Sequence, residues 1–251
     1  MALFSHTLAK IRRSLSQRRV EPVEDAASIT SNAVLIHPFD TAHSVDTSGL
    51  IPSNDLATGR KHDPFTTGYY GMAPSRFHGA IERWMASTPA APIEEYSFVD
   101  LGCGKGRALM LASTYSFAGV SGVELNGTLA KTARKNMRIW QAANPNAASI
   151  RVRHGDASRY TFPDGPCLLY MFHPFGRPVM NLVLHNLART FADRPQQLDI
   201  IYFNPEEAGA IEGYGGFKLM WSEVIPMSDG DAAVDPVANP TDLCNAYRWI
   251  G

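Results

Sequence analysis

Long apolar runs are missing from this chain. No stretch approaches the roughly 18 consecutive apolar residues that a membrane-crossing helix needs, so no span is expected in the 251 residues. Cysteine is scarce. Cys103, Cys167 and Cys244 are widely spaced, odd in number and outside any CxxC arrangement. That argues against a disulfide framework or structural zinc, and for a reducing compartment, read as cytoplasmic. A dominant charge is missing too. The formal net charge of -1 excludes a surface that is basic throughout, though not a local basic patch. His37, His43, His62, His78 and His185 show no metal-ligand spacing, so no metal is expected. The phosphate-cradling GxxxxGK[ST] loop does not occur, nor does the dinucleotide fingerprint GxGxxG, which leaves little room for a nicotinamide-dependent oxidoreductase.

What is present suits one α/β domain with extensions, at 45% hydrophobic and 19% charged residues. Residues 1–20 carry Lys10, Arg12, Arg13, Arg18 and Arg19 and no acid, with Leu3, Phe4, Leu8, Ile11 and Leu15 near helical spacing. This basic amphipathic segment reads as an accessory helix, as a contact for a partner, nucleic acid or membrane surface, or as a transit-type peptide. Residues 21–63 are polar and read as mostly loop. Pro64 to Pro74, with Tyr69 and Tyr70, is aromatic yet bracketed by breakers, either a cover over a pocket or a packed edge. Ser75 is a candidate cap for a helix whose face is Phe77, Ile81, Trp84 and Met85, ending near Pro89.

From residue 96 the pattern becomes regular. Apolar strands are expected at 96–101, 118–124, 150–154, 167–172, 198–203 and 217–225, with a last one at 246–250. Helices fall between them, one capped by Asn126 and carrying Leu129, Ala133, Met137 and Trp140, another carrying Met180, Val183, Leu184, Leu187 and Phe191. Such alternation predicts a doubly wound, mostly parallel sheet. Ligands in such sheets bind outside the carboxyl ends of the strands. Those ends are Asp100 to Gly106, Glu124, Asp156, His173 to Phe175 and Asn204-Pro205.

The stretch Phe98 to Ser113 holds the densest information. Gly102, Gly104 and Gly106 follow Asp100 in a strand-turn-helix pattern. A carboxylate before the turn repels a pyrophosphate and suits a cation. Glu124, twenty residues past Gly104, can accept hydrogen bonds from two ribose hydroxyls. A ribose, a cationic group and no phosphate describe S-adenosylmethionine (SAM).

The set D-L-G-C-G-K-G at 100–106, G-V-E-L at 122–125 and G-D-A at 155–157 resembles the first three motifs of class I SAM-dependent methyltransferases. The chain is similar to a bacterial group of unassigned substrate. The resemblance implies seven strands in the order 3-2-1-4-5-7-6, the last antiparallel, with an N-terminal helical and loop extension. The organisation would be an extension at 1–63, a cofactor-covering segment and leading helix at 64–95, and the SAM-binding domain at 96–251. It also implies that Asp100, Gly102, Cys103 and Gly104 line the methionine part of the cofactor, with Tyr70 closing over it. Glu124 with Leu125 would hold the ribose, and Asp156 with Ala157 would face the adenine. Beyond the fourth strand, Phe172-His173-Pro174-Phe175 is similar to an Asn/Asp-Pro-Pro-aromatic motif that grips an amino group. It departs from that motif in having His173 and a single proline.

His173, Pro174 and Phe175 are therefore the candidate catalytic residues. His173 reads as a base, a hydrogen-bonding wall residue or a structural histidine. Lys105 and Arg107 read as local structural charges, with contact to an acidic substrate as the rival. The expected activity is methyl transfer from SAM to an acceptor atom, with nitrogen as one option, on a protein lysine, a small molecule or a nucleic acid. The alternative is a non-catalytic SAM- or partner-binding protein on the same fold.

Overall fold

The computed structural model describes residues 36–235 and 242–251. The basic segment expected at 1–20 lies outside the described residues, as do Pro236 and Pro240 of the last loop. Seven strands form one sheet: β3 (Ser97–Leu101), β4 (Gly119–Glu124), β5 (Ile150–His154), β6 (Cys167–Phe172), β7 (Leu198–Phe203), β8 (Phe217–Val224) and β9 (Leu243–Trp249). Their order is β5-β4-β3-β6-β7-β9-β8. This is the expected 3-2-1-4-5-7-6 arrangement. β9 runs antiparallel between β7 and β8, and the other pairs are parallel. Among the described residues no helix is long and apolar enough to cross a membrane.

The central strands are mostly apolar on both faces because both faces are covered, with Asp100 in β3 and Asp199 in β7 as the buried exceptions. Side-chain alternation divides the core. Phe98, Leu168, Tyr170, Ile201 and Phe203 point to the face packed by helices α2 (Pro74–Ala86) and α3 (Arg107–Ala112). Val99, Leu101, Leu169, Met171, Ile200 and Tyr202 point to the other face, packed by α5 (Arg177–Thr190). Helix α4 (Gly127–Ala143) is capped as expected, with the Asn126 side chain accepting from the N–H groups of Thr128 and Leu129. The expected cap of α2, Ser75, is two positions off. Pro74 takes the first helical position, where its missing N–H costs nothing, and Ala73 is the cap residue. Ser75 lies inside the helix and gives both its N–H and its hydroxyl to the Asp231 carboxylate.

Residues 36–63 contain more order than a polar loop suggests. Helix α1 (Pro38–His43) and the short strand β1 (Leu50–Ile51) occur there, and β1 pairs with β2 (Tyr69–Tyr70). This layer lies over the carboxyl ends of β3 and β6. Arg107, at the start of α3, holds it there. Its guanidinium donates to the Thr47 hydroxyl at 2.7 Å, the Ser48 hydroxyl at 3.2 Å and the Met72 carbonyl at 3.2 Å.

Candidate functional site

The β3–α3 turn keeps three glycines at positive φ, +81° at Gly102, +52° at Gly104 and +90° at Gly106, a conformation that side chains with a Cβ rarely adopt. Two of them also have no room for a Cβ. An added methyl at Gly102 would come within 2.5 Å of the Pro174 side chain, and one at Gly104 would enter the Tyr69 ring. The turn is thus closed in by this chain's own residues from β2 and the β6 end. Tyr69 is fixed there by its hydroxyl, which donates to the Thr47 carbonyl at 2.6 Å.

Beside this turn lies a cavity of about 1020 Å³, open solvent at its mouth included. Tyr70, Asp100, Gly102, Cys103, Gly104, Glu124, Leu125, Asp156, Ala157, Pro174 and Phe175 all line it. These eleven expected site residues are scattered over more than a hundred positions in the chain. The parallel sheet gathers them because β3, β4, β5 and β6 all end at the same edge.

The charges in the cavity are unevenly satisfied. Glu124 accepts the Gly104 N–H at 2.9 Å on one oxygen and the Asn126 N–H at 2.8 Å on the other. Each oxygen keeps a further lone pair. Burial nonetheless holds its carboxyl above the usual range. Asp100 is 4% exposed, and none of the described residues hydrogen-bonds or ion-pairs with its carboxylate. Burial first, and then the neighbouring Glu124, push its carboxyl well up. A carboxylate buried without a partner is costly, so this position favours a cationic or hydrogen-bond-donating ligand. Cys103 is buried with its thiol pushed well up by burial, and its side chain occupies the space above Gly122. It acts as a small apolar filler and not as a nucleophile.

Asp156 is more committed than its expected role requires. One oxygen accepts the N–H and hydroxyl of Ser158, at 2.9 and 2.7 Å, and the other lies 2.9 Å from His62 Nδ1. Burial alone would raise its carboxyl, but the Ser158 bonds and His62 outweigh this and hold it below the usual range. The side chain fastens the turn at Ala157–Arg159.

His173 is the one expected site residue that the structure does not bring to the cavity. Its φ is +36°, which turns the ring outward against Tyr202. Nδ1 is 3.2 Å from the Tyr202 hydroxyl and Nε2 is 3.3 Å from the Glu206 carboxylate. Its carbonyl, which the resemblance would give to an acceptor amine, accepts the Thr67 hydroxyl instead. The Thr67 N–H lies 3.4 Å from the Pro174 carbonyl, and Gly176 N–H donates to Phe65 at 2.8 Å. Of the three readings open for His173, this geometry matches the histidine held by hydrogen bonds within the chain, with its ring outside the cavity. Lys105 and Arg107 take the local structural role, Lys105 bonding Asp46 at 2.7 Å and the Ser48 carbonyl at 2.8 Å.

One residue escaped the sequence reading. Tyr170 pairs in register with Asp100 across β3 and β6, so both side chains lie on one face. It lines the cavity, is 1% exposed and, among the described residues, has no hydrogen-bond partner for its hydroxyl. In the sequence it sits inside an unbroken apolar strand, and only its register with Asp100 marks it.

No protein-family model matches the chain, and no curated protein matches it. Solved structures that are similar include an S-adenosylmethionine-dependent methyltransferase from Clostridium acetobutylicum, at 11% identity over 72% of this chain and 93% of that one, with a TM-score of 0.47. A putative RNA methyltransferase from Pyrococcus horikoshii is 18% identical over 69% and 85%, with a TM-score of 0.46. A glycopeptide N-methyltransferase complexed with sinefungin is 10% identical over 72% and 89%, with a TM-score of 0.46. With TM-scores below 0.5, these likenesses are too loose to bear on the reaction.

Proposed function

We propose that the protein binds S-adenosylmethionine in this cavity and transfers its methyl group to an acceptor. The observation that carries this reading is the pair of buried acids at the sheet edge. Asp100 has no partner among the described residues, and Glu124 has its spare lone pairs beside it. A ligand with a positive head and a ribose answers both needs, whereas a pyrophosphate would meet two carboxylates. The residues present fit the cofactor on this test.

When bound, the cofactor supplies an activated methyl group on a sulfonium. The chain's task is then to bind, orient and exclude water. Asp100 faces the positive head, with the free Tyr170 hydroxyl next to it. Glu124 accepts from the ribose hydroxyls while its backbone bonds keep it in place. Leu125 and Ala157 would flank the base, with the Asp156 side chain and the 156–157 carbonyls already committed to the turn they close. Tyr70, Pro174 and Phe175 form the wall on the acceptor side. Nitrogen as the acceptor atom loses its support, since the His173 carbonyl and ring are both turned to partners within the chain.

Titration calorimetry with SAM and its demethylated product tests the reading. Both are expected to bind, and NAD is not. Glu124→Gln, which keeps the side-chain size but turns one acceptor oxygen into a donor, is expected to weaken SAM by roughly 1–3 kcal/mol through lost charged hydrogen bonds. A folded wild-type protein that binds neither ligand ends the proposal.

A further inference from the structure

We infer that the exposed edge of the sheet binds the phosphate backbone of a nucleic acid, and that RNA or DNA is the class of acceptor presented to the cavity. The second clause rests on the SAM reading above, and the first stands without it.

The chain as a whole has a net charge of -1, yet residues 125–161 hold seven Lys and Arg against one acid, Asp156. The seven are Lys131, Arg134, Lys135 and Arg138 on α4, Arg151 and Arg153 on β5, and Arg159 on the following turn. All are exposed. Among the described residues none of them forms an ion pair. The lone acid is already paired with His62. β5 is the outermost strand of the sheet, so these cations line an edge that no other strand covers. Arg151 and Arg153 share one face of it, two residues apart. The Arg134 Nε donates to the Val152 carbonyl at 3.1 Å, which fixes that guanidinium against the strand and leaves its other N–H groups free.

The positive region continues into a groove. Arg60, Lys61, Arg159, His185 and Arg189 line it, and it shares His62, Leu125 and Asp156 with the proposed cofactor cavity. A chain of phosphates along the edge therefore leads to the cavity mouth. The cations lie on α4, on β5 and inside a groove. A polyphosphate chain can follow all three. Unpaired, exposed cations in a row are what counterion release rewards.

Fluorescence anisotropy of a labelled single-stranded 30-nucleotide RNA, and of DNA of the same sequence, tests this with the full chain. Binding at 50 mM salt is expected, with log K falling against log salt at a slope of about -3 to -5 for some five to seven phosphate contacts. Arg151→Glu with Arg153→Glu is expected to cut affinity at least tenfold and to flatten the slope by about one. SAM affinity by calorimetry should stay unchanged, which also shows that the variant is folded. Lys131→Glu with Lys135→Glu should act in the same direction. Transfer of the labelled methyl group of SAM to the bound RNA or DNA is expected, and binding of both polymers without transfer to either removes the acceptor clause while leaving the edge standing. Absence of binding to both at low salt, wild-type affinity in both double variants, or tighter binding to vesicles containing phosphatidylserine each overturns the inference. Nucleic-acid binding without SAM binding leaves the edge standing and removes the methyltransferase reading.

Discussion

Asp100 and Asp40 are both buried carboxylates, yet pH acts on them in opposite directions. Burial would raise Asp40, but hydrogen bonds from Thr47 and Ser48, with Arg107 nearby, hold it below its usual value. Its contribution to stability is present above the unfolded value near 4 and is lost as the pH falls through the lower folded value. Asp100 is pushed well up by burial and then by Glu124. Its folded state favours the proton, so its contribution is complete below about pH 4 and is lost as the pH rises through the folded value. Thermal unfolding across pH should therefore show that Asp100→Asn raises the melting temperature of the ligand-free protein, with a gain that grows above pH 4 and then levels off. The same variant should bind SAM at least tenfold more weakly, because a neutral amide does not balance a cation. Parallel melting curves for the variant and the wild type would show that Asp100 carries no unpaired charge. Its place at a strand end before three glycines was legible in the sequence, since those signals lie within seven residues. Its lack of a partner was not, because that depends on which side chains the other strands bring near it.

At the scale of elements, Arg107 is the buried cation around which the layer at residues 36–73 gathers, alongside the anchors at Lys105, Asn136 and Thr67. Arg107 is 4% exposed and reaches Thr47, Ser48 and Met72, with Asp40 3.7 Å away and the Phe39 ring 5.7 Å away. Asp40 in turn accepts the N–H groups of Thr47 and Ser48, and the Thr47 hydroxyl. Arg107→Met keeps the stem but leaves the Asp40 charge buried without its cation, which is expected to cost about 3–5 kcal/mol. Denaturant unfolding should report that loss. Limited proteolysis should report cleavage within 40–70 before the sheet is cut. Arg107→Lys should recover only part of it, because an ammonium cannot reach four acceptors in a plane. The sequence showed Arg107 as a probable structural charge beside the glycine turn. It could not show its partners, which lie 35 to 67 positions earlier and are polar residues of a segment with no periodicity.

For the molecule as a whole, β9 closes the sheet by running back between β7 and β8. Its Arg248 meets Asp199 of β7 with two bonds, at 2.7 and 2.9 Å, and the same carboxylate accepts from the Trp84 indole at 2.8 Å and the Tyr96 hydroxyl at 3.3 Å. One buried acid thus joins α2, the start of the sheet and its last strand. Arg248→Met is expected to destabilise the fold by about 2–4 kcal/mol, less than a fully buried pair because the arginine is partly exposed. A denaturation midpoint that stays put would mean that the insertion of β9 is secured by its apolar residues alone. The strands, a mostly parallel sheet and the acids at the strand ends followed from the sequence, because apolar runs, turns and caps are decided by neighbours in the chain; the strand order followed only from the resemblance. The direction of the His173 side chain, just past β6, was decided only in three dimensions. Thr67, 106 residues before His173, takes its carbonyl, and Tyr202 and Glu206 take its ring. Contacts between segments so distant in sequence leave no local signal, and they determine which groups face the ligand.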